Sequence, residues 1–144
     1  LKKIQEQLPV IFPIHPRTRK NIETFSMEKE VNSLKNLHLT EPLGYFDFIK
    51  LQKYCKFVLT DSGGLQEEST YMGIPCLTVR ENTERPVTVT LGTNEIVGTD
   101  TGKIIDSADK IMSGNWKKGE IPPLWDGKAA ERIVQVLARH KTTR

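Results

Sequence analysis

No uninterrupted apolar stretch in this sequence approaches the ~20 residues that a membrane-spanning helix needs, and no signal-peptide pattern opens it. A membrane is therefore not an expected partner. Cysteine is scarce: Cys55 and Cys76 are isolated, with no Cys-x-x-Cys spacing. That excludes a zinc ribbon and a disulfide framework, and leaves each as a small buried apolar residue of a reducing compartment, with the cytoplasm expected. An excess of one charge is missing too. The formal net charge is +3 over 144 residues, and no basic stripe is interleaved with aromatics, so nucleic acid is not expected either. Internal repeats, low-complexity tracts and linkers are absent.

What is present is the composition of a folded globular chain, 37% hydrophobic and 27% charged. Its length suits one ordinary domain that buries roughly two thirds of its unfolded surface. The chain opens at Leu1 rather than Met, and the stretch to Leu8 reads like the tail of a helix already under way, which suggests truncation.

Short β-prone runs alternate with helical patterns. Val10 to Ile14 is the first, with Pro13 marking a strand end or an edge. A short helix over Asn21 to Phe25 follows, then a second for which Ser26 is a plausible cap. Leu37 to Thr40 is the next strand, and Phe46 to Tyr54 the next helix. That helix buries either Phe46, Ile49 and Lys50 or Phe48, Leu51 and Gln52. Phe57 to Thr60 is the clearest strand, stopped by Asp61-Ser62-Gly63-Gly64. The helix after it places Leu65, Ser69 and Met72 on one face, and Gly73 and Pro75 end it. Further strands are expected over Ile74 to Val79 and Glu95 to Gly98, and a short helix over Ser107 to Met112. A last helix starts near Asp126 and carries Ala130, Ile133, Val134 and Leu137 on one stripe. This alternation predicts an α/β fold: a Rossmann-like parallel sheet with helices on both faces, whose ligands sit beyond the carboxyl ends of the strands.

Asp61-Ser62-Gly63-Gly64 lies at such an end and opens a helix. Two glycines let bare N–H groups approach an anion, and the helix adds unpaired N–H groups and a positive dipole end. A diphosphate suits this place; a tight turn capped by Asp61 or Ser62 suits it equally well. Glu68, one turn after Gly64, can accept the hydroxyls of a ribose beside the phosphates, which favours a nucleotide. Glu67 reads as dipole complementarity. His15, ahead of Arg17, Arg19 and Lys20, follows the first strand; it can donate to a phosphate or transfer a proton, or be a loop histidine satisfied locally. Arg85, in Glu81-Asn82-Thr83-Glu84-Arg85-Pro86, follows another strand. It can fork onto a phosphate, or pair on the surface with Glu81 or Glu84. Polar clusters at successive strand ends favour one shared pocket.

The run Leu59-Thr60-Asp61-Ser62-Gly63-Gly64-Leu65-Gln66-Glu67-Glu68, with Gly73-Ile74-Pro75, Thr83-Glu84-Arg85-Pro86 and Gly98-Thr99-Asp100, resembles the non-hydrolysing UDP-N-acetylglucosamine 2-epimerases. The resemblance runs from about Pro9 to the last helix, where Trp125 to Ala130 is similar to the family's usual start of that helix. It implies that residues 1–144 are a single UDP-binding domain, the C-terminal half of a two-domain fold of the B-type glycosyltransferase kind. An N-terminal domain, outside this chain, would carry most of the acid–base carboxylates.

By the same resemblance Ser62, Gly63 and Gly64 hold the diphosphate and Glu68 the ribose. Leu43, through its backbone, and Phe48 frame the uracil; Phe48 is preferred to Phe46 for its spacing from Ser62. His15 and Arg85 are the catalytic candidates, at the diphosphate and its leaving oxygen. The implied reaction interconverts UDP-N-acetylglucosamine and UDP-N-acetylmannosamine by elimination and re-addition of UDP, in an enzyme expected to be a homodimer at full length. No cofactor or metal is implied. A hydrolysing 2-epimerase, a B-type glycosyltransferase domain and a nucleotide-binding module without activity of its own are the alternatives.

Overall fold

A computed structural model describes residues 1–140. They fall into two compact units, Leu1–Tyr54 and a second that begins at Cys55.

The first unit contains α1 (Lys2–Gln5), β1 (Val10–Pro13), α2 (Pro16–Thr24), α3 (Glu28–Ser33), β2 (Leu37–Thr40) and α4 (Tyr45–Tyr54). β1 and β2 are parallel, with Val10 opposite Leu37 and Pro13 opposite Thr40. Pro13, which has no N–H for a ladder, is the last residue of its strand, as the sequence suggests. The helix expected from Asn21 begins earlier, because Pro16 occupies its first position with a pre-set φ and His15 caps it. Ser26 is not the cap expected of it. It takes a left-handed φ of 52° in the sharp turn between α2 and α3, and Met27 stands at the cap position instead. On α4 the second of the two expected faces is the inner one: Gln52 is buried and Phe48 and Leu51 partly so, whereas Phe46 is 86% exposed.

The second unit runs β3 (Val58–Thr60), α5 (Gly63–Met72), β4 (Cys76–Thr78), α6 (Pro86–Thr90), β5 (Asn94–Ile96), α7 (Thr101–Met112) and α8 (Ala129–His140). Its strands form a parallel sheet in the order β3-β4-β5. Consecutive strand residues point to opposite faces, and two neighbours on β5 show what covers each. Asn94 donates to Gln66 on α5 and Thr88 on α6, while Glu95 accepts from Ser107 on α7. This sheet therefore carries helices on both faces, as the sequence predicts.

Several boundaries differ from expectation. The buried face of α5 is Gln66, Ser69 and Thr70, with Leu65 and Met72 only partly covered, because polar partners await it. Gly73 closes that helix with φ 69°, the left-handed conformation expected of it. α7 starts at Thr101 rather than near Ser107, since the Asp100 carboxylate accepts the Lys103 N–H at 2.9 Å and caps an earlier turn. α6 is absent from the sequence reading altogether.

Asp126 lies just ahead of α8, not at its start. It accepts the Lys128 N–H and takes both guanidinium nitrogens of Arg132 at 2.9 and 2.5 Å. The Arg132 fork lowers the Asp126 pKa from 3.8 to about 2. The apolar stripe of α8 lies open to solvent among the described residues, with Ile133 59% exposed. Cys76 is fully buried, and burial pushes the Cys55 thiol up to about 11, so both behave as apolar thiols at neutral pH. No helix among the described residues is long and apolar enough to cross a membrane.

Gly92 shows how tightly this unit is packed. A Cβ there would stand 2.4 Å from Thr70 Oγ1 and 2.6 Å from the Thr88 carbonyl oxygen. Gly92→Ala is expected to lower stability by about 1–3 kcal/mol through overpacking, measured by urea denaturation. An unchanged midpoint would mean that the α5–α6 contact yields easily.

Candidate functional site

Parallel pairing sends the carboxyl ends of β3, β4 and β5 to one edge of the second unit's sheet. Three segments emerge there: Asp61 to Gly64, Arg80 to Arg85, and Val97 to Asp100.

Ser62 occupies the N-cap position of α5 but makes no side-chain cap bond, and no acidic side chain sits in the first turn. Its own N–H is held by Thr60 Oγ1 at 3.0 Å. Among the described residues the leading N–H groups of α5 thus lack the carboxylate or hydroxyl that usually occupies such an end. Neither Gly63 nor Gly64 needs to be glycine for the fold. Both φ values lie outside the left-handed region, and an added Cβ would meet nothing at Gly63 and only Ser62 Oγ, at 3.9 Å, at Gly64. What glycine provides at both positions is bare backbone facing open space.

Glu67 and Glu68 follow in the second turn. Arg85 Nε lies 3.0 Å from Glu67 Oε1, with both side chains about two-fifths exposed. The sequence alternative of a surface pair with Glu81 or Glu84 is therefore corrected. Glu84 pairs with Arg80 and offers Arg85 only its carbonyl oxygen. Glu67 does more than complement a dipole, because the Thr83–Pro86 turn brings the arginine against α5. Burial, and then the neighbouring Glu67 charge, raise the pKa of Glu68.

A buried polar cluster lies behind this edge. Gln66 Oε1 accepts from Thr83 Oγ1 at 2.6 Å and from Asn94 Nδ2 at 3.2 Å. Sequence reasoning singled out neither Gln66 nor Asn94; the available signal was an amide inside a helix turn whose neighbours face the sheet. A polar cavity of about 520 Å³ adjoins the edge, lined by Glu81, Gly98, Thr99, Asp100 and Lys103 among others. Among the described residues no three His, Cys, Asp or Glu side chains gather as a metal site would require.

The remaining candidates lie in the first unit. His15 caps α2 and its Nδ1 accepts the Arg17 N–H at 3.2 Å, the local satisfaction that the sequence left open. That bond puts the neutral imidazole's proton on Nε2, which becomes the donor. Arg19 is tied to Glu41 at 2.8 Å. Leu43 is exposed and Phe48 half-buried, at the start and in the first turns of the α4 region.

A family model described as UDP-N-acetylglucosamine 2-epimerase matches residues 1–138. The chain belongs to that family. It is 42% identical over 134 residues to the UDP-N-acetylglucosamine 2-epimerase of Methanocaldococcus jannaschii, covering 92% of this chain and 36% of the relative. It is also 37% identical over 131 residues to the UDP-2,3-diacetamido-2,3-dideoxy-D-glucuronate 2-epimerase of Pseudomonas aeruginosa, covering 91% of this chain and 35% of the relative. A crystal structure of the Methanocaldococcus jannaschii epimerase with UDP-GlcNAc and UDP superposes with a TM-score of 0.78 at 40% identity, over 95% of this chain and 37% of that one. The chain thus spans about a third of the length of these epimerases. The similarity of structure agrees with the parallel α/β class read from the sequence.

Within this family member the Glu67–Glu68 pair gives a pH prediction. Below its ordinary range Glu68 is protonated in folded and unfolded chains alike and costs no stability. Above its raised folded pKa it is ionised in both, and the cost is complete. Stability contributed at this site therefore falls as pH rises through that window. Glu67→Gln removes the like charge and should move the Glu68 titration downward, read by carboxyl 13C NMR. No movement would leave burial as the sole cause.

Proposed function

We propose that the chain is the UDP-binding part of an enzyme that interconverts UDP-N-acetylglucosamine and UDP-N-acetylmannosamine. The observation that carries this reading is the uncapped start of α5, where Ser62, Gly63 and Gly64 face open space one turn from Glu68, with Arg85 against the same helix. Ser62, Gly63 and Gly64 hold the diphosphate and Glu68 accepts from the ribose. Leu43 and Phe48 are the proposed uracil residues, and His15 in the first unit and Arg85 in the second are the proposed catalytic residues. On this reading the two units are parts of one nucleotide-binding domain spanning residues 1–144.

The reaction breaks the bond between C1 and the UDP oxygen while a base takes the C2 proton, leaving a C1=C2 double bond. A proton then returns to C2 on the opposite face and UDP adds back to C1. Cations and N–H groups around the diphosphate stabilise the departing charge. Proton transfer at C2 needs an acid and a base, and these come from an N-terminal domain of the full-length enzyme. That enzyme works as a cytoplasmic homodimer and needs no metal or redox cofactor.

Titration calorimetry of the full-length protein with UDP tests the grip, with binding expected and its absence in folded protein decisive against it. Glu68→Ala should weaken UDP at least about tenfold, the loss of a charge-assisted hydrogen bond, and leave inorganic diphosphate little changed. Equal losses for both ligands would take Glu68 away from the ribose.

The Pseudomonas aeruginosa relative favours a second reading of the sugar, a 2,3-diacetamido uronate in place of N-acetylglucosamine. Proton NMR of turnover by the full-length enzyme with each UDP-sugar decides between them, and free N-acetylmannosamine as product would mark a hydrolysing enzyme. Arg85→Ala should lower turnover by about 100-fold or more with the fold intact, as loss of one preorganised donor does. Unchanged turnover would remove Arg85 from the mechanism.

A further inference from the structure

Arg85 is held at both of its main-chain polar groups by threonine hydroxyls. Its N–H donates to Thr83 Oγ1 at 2.9 Å, and its carbonyl oxygen accepts from Thr88 Oγ1 at 2.7 Å. The two hydroxyls then converge on one pair of buried amides. Thr83 Oγ1 donates to Gln66 Oε1 at 2.6 Å, and Thr88 Oγ1 accepts from Asn94 Nδ2 at 3.0 Å. The second Asn94 hydrogen goes to Gln66 Oε1 at 3.2 Å, which closes a ring through Arg85.

Every bond of this ring has a consistent direction. Asn94 uses both amide hydrogens, Gln66 Oε1 accepts twice, and each hydroxyl donates once and accepts once. Asn94 Oδ1 accepts in turn from the Thr78 hydroxyl at 2.7 Å. Gln66, Thr78, Thr88 and Asn94 are all fully or almost fully buried. Among the described residues Gln66 Nε2 has no hydrogen-bond partner.

We infer that Gln66, Thr83, Thr88 and Asn94 form a positioning ring that sets the Arg85 main chain against α5, so that the guanidinium and the diphosphate grip of Ser62 to Gly64 act as one rigid unit. The inference rests on the role proposed above for Arg85. Gln66 is the joint, because it belongs to α5, the helix whose first turn carries the grip, and also accepts from the arginine's turn. None of the ring side chains is assigned contact with the nucleotide. They are positioning residues, and their effect should appear in turnover rather than in substrate affinity.

Thr83 is the member to alter, being half-buried in the turn rather than in the core. In the full-length enzyme Thr83→Val keeps the shape and removes the hydroxyl. It should lower kcat by about 10- to 100-fold, as a small displacement of a catalytic group does, with KM changed by less than about threefold. Thr83→Ser should restore kcat to within about threefold of wild type, because the hydroxyl returns. In an Arg85→Ala background Thr83→Val should add less than about twofold, since both changes act through the same side chain. Hydrogen–deuterium exchange of the segment from Thr83 to Val87 should accelerate in Thr83→Val.

Wild-type kcat in Thr83→Val alongside a crippled Arg85→Ala would overturn the ring and leave the arginine's role standing. Losses that multiply in the double variant, failure of Thr83→Ser to restore kcat, or unchanged exchange would also overturn the ring. Full turnover in Arg85→Ala would instead overturn the proposed role of the arginine itself, and the inference with it.

Discussion

The buried primary amide of Asn94 pairs both of its hydrogens and its oxygen, with partners on three different elements. Its hydrogens reach Gln66 on α5 and Thr88 on α6, and its oxygen accepts from Thr78 on β4. Leaving one such group unpaired in the interior costs about 1–3 kcal/mol, so these elements cannot shift past one another without losing a bond that water is not there to replace. Parallel pairing alone would bring three strand ends to one edge. The amide fixes where the first turn of α5 and the turn bearing Arg85 stand relative to each other along that edge.

The charge arrangement at the edge follows from this placement. The start of α5 offers N–H groups and a positive dipole end without a carboxylate in the first turn, while Glu67 and Glu68 wait one turn further on. Arg85 rests on Glu67 in a pair that is about two-fifths exposed on each side. Pairs this accessible are worth about 0–1 kcal/mol, so an incoming anion has little to displace. On the proposed reading, a diphosphate that recruited Arg85 in a forked geometry would exchange a weak contact for a stronger one. Recruitment would also relieve neither carboxylate of its neighbour, and Glu68 would keep the upward shift that burial imposes first.

Legibility from sequence differed sharply between residues. Glycine and proline acted locally, so their roles were readable: Gly73 ends α5 in the left-handed conformation, and Pro13 closes β1. The Asp61-Ser62-Gly63-Gly64 turn was readable for the same reason, as strand, turn and helix start are all local patterns. Helix starts that depend on a cap were less visible. α7 begins well before Ser107 because Asp100 reaches the Lys103 N–H, and α6 is too short to show a period. The partner of Arg85 is not legible in the sequence, because proximity offers Glu81 and Glu84 as alternatives while the fold brings in Glu67 from another element.

The sequence by itself determined the family, the parallel α/β class and the chemical kinds of group at the strand ends, since these rest on ordered motifs and on short-range periodicity. Which of those groups meet was decided only by the tertiary structure. Gln66, Thr83, Thr88 and Asn94 are scattered along the chain and individually ordinary. They become one hydrogen-bonded ring because β5 lies next to β4 and α5 crosses the same sheet face. Contacts between residues far apart in sequence leave no local pattern; they exist only where burial forces polar groups to find one another.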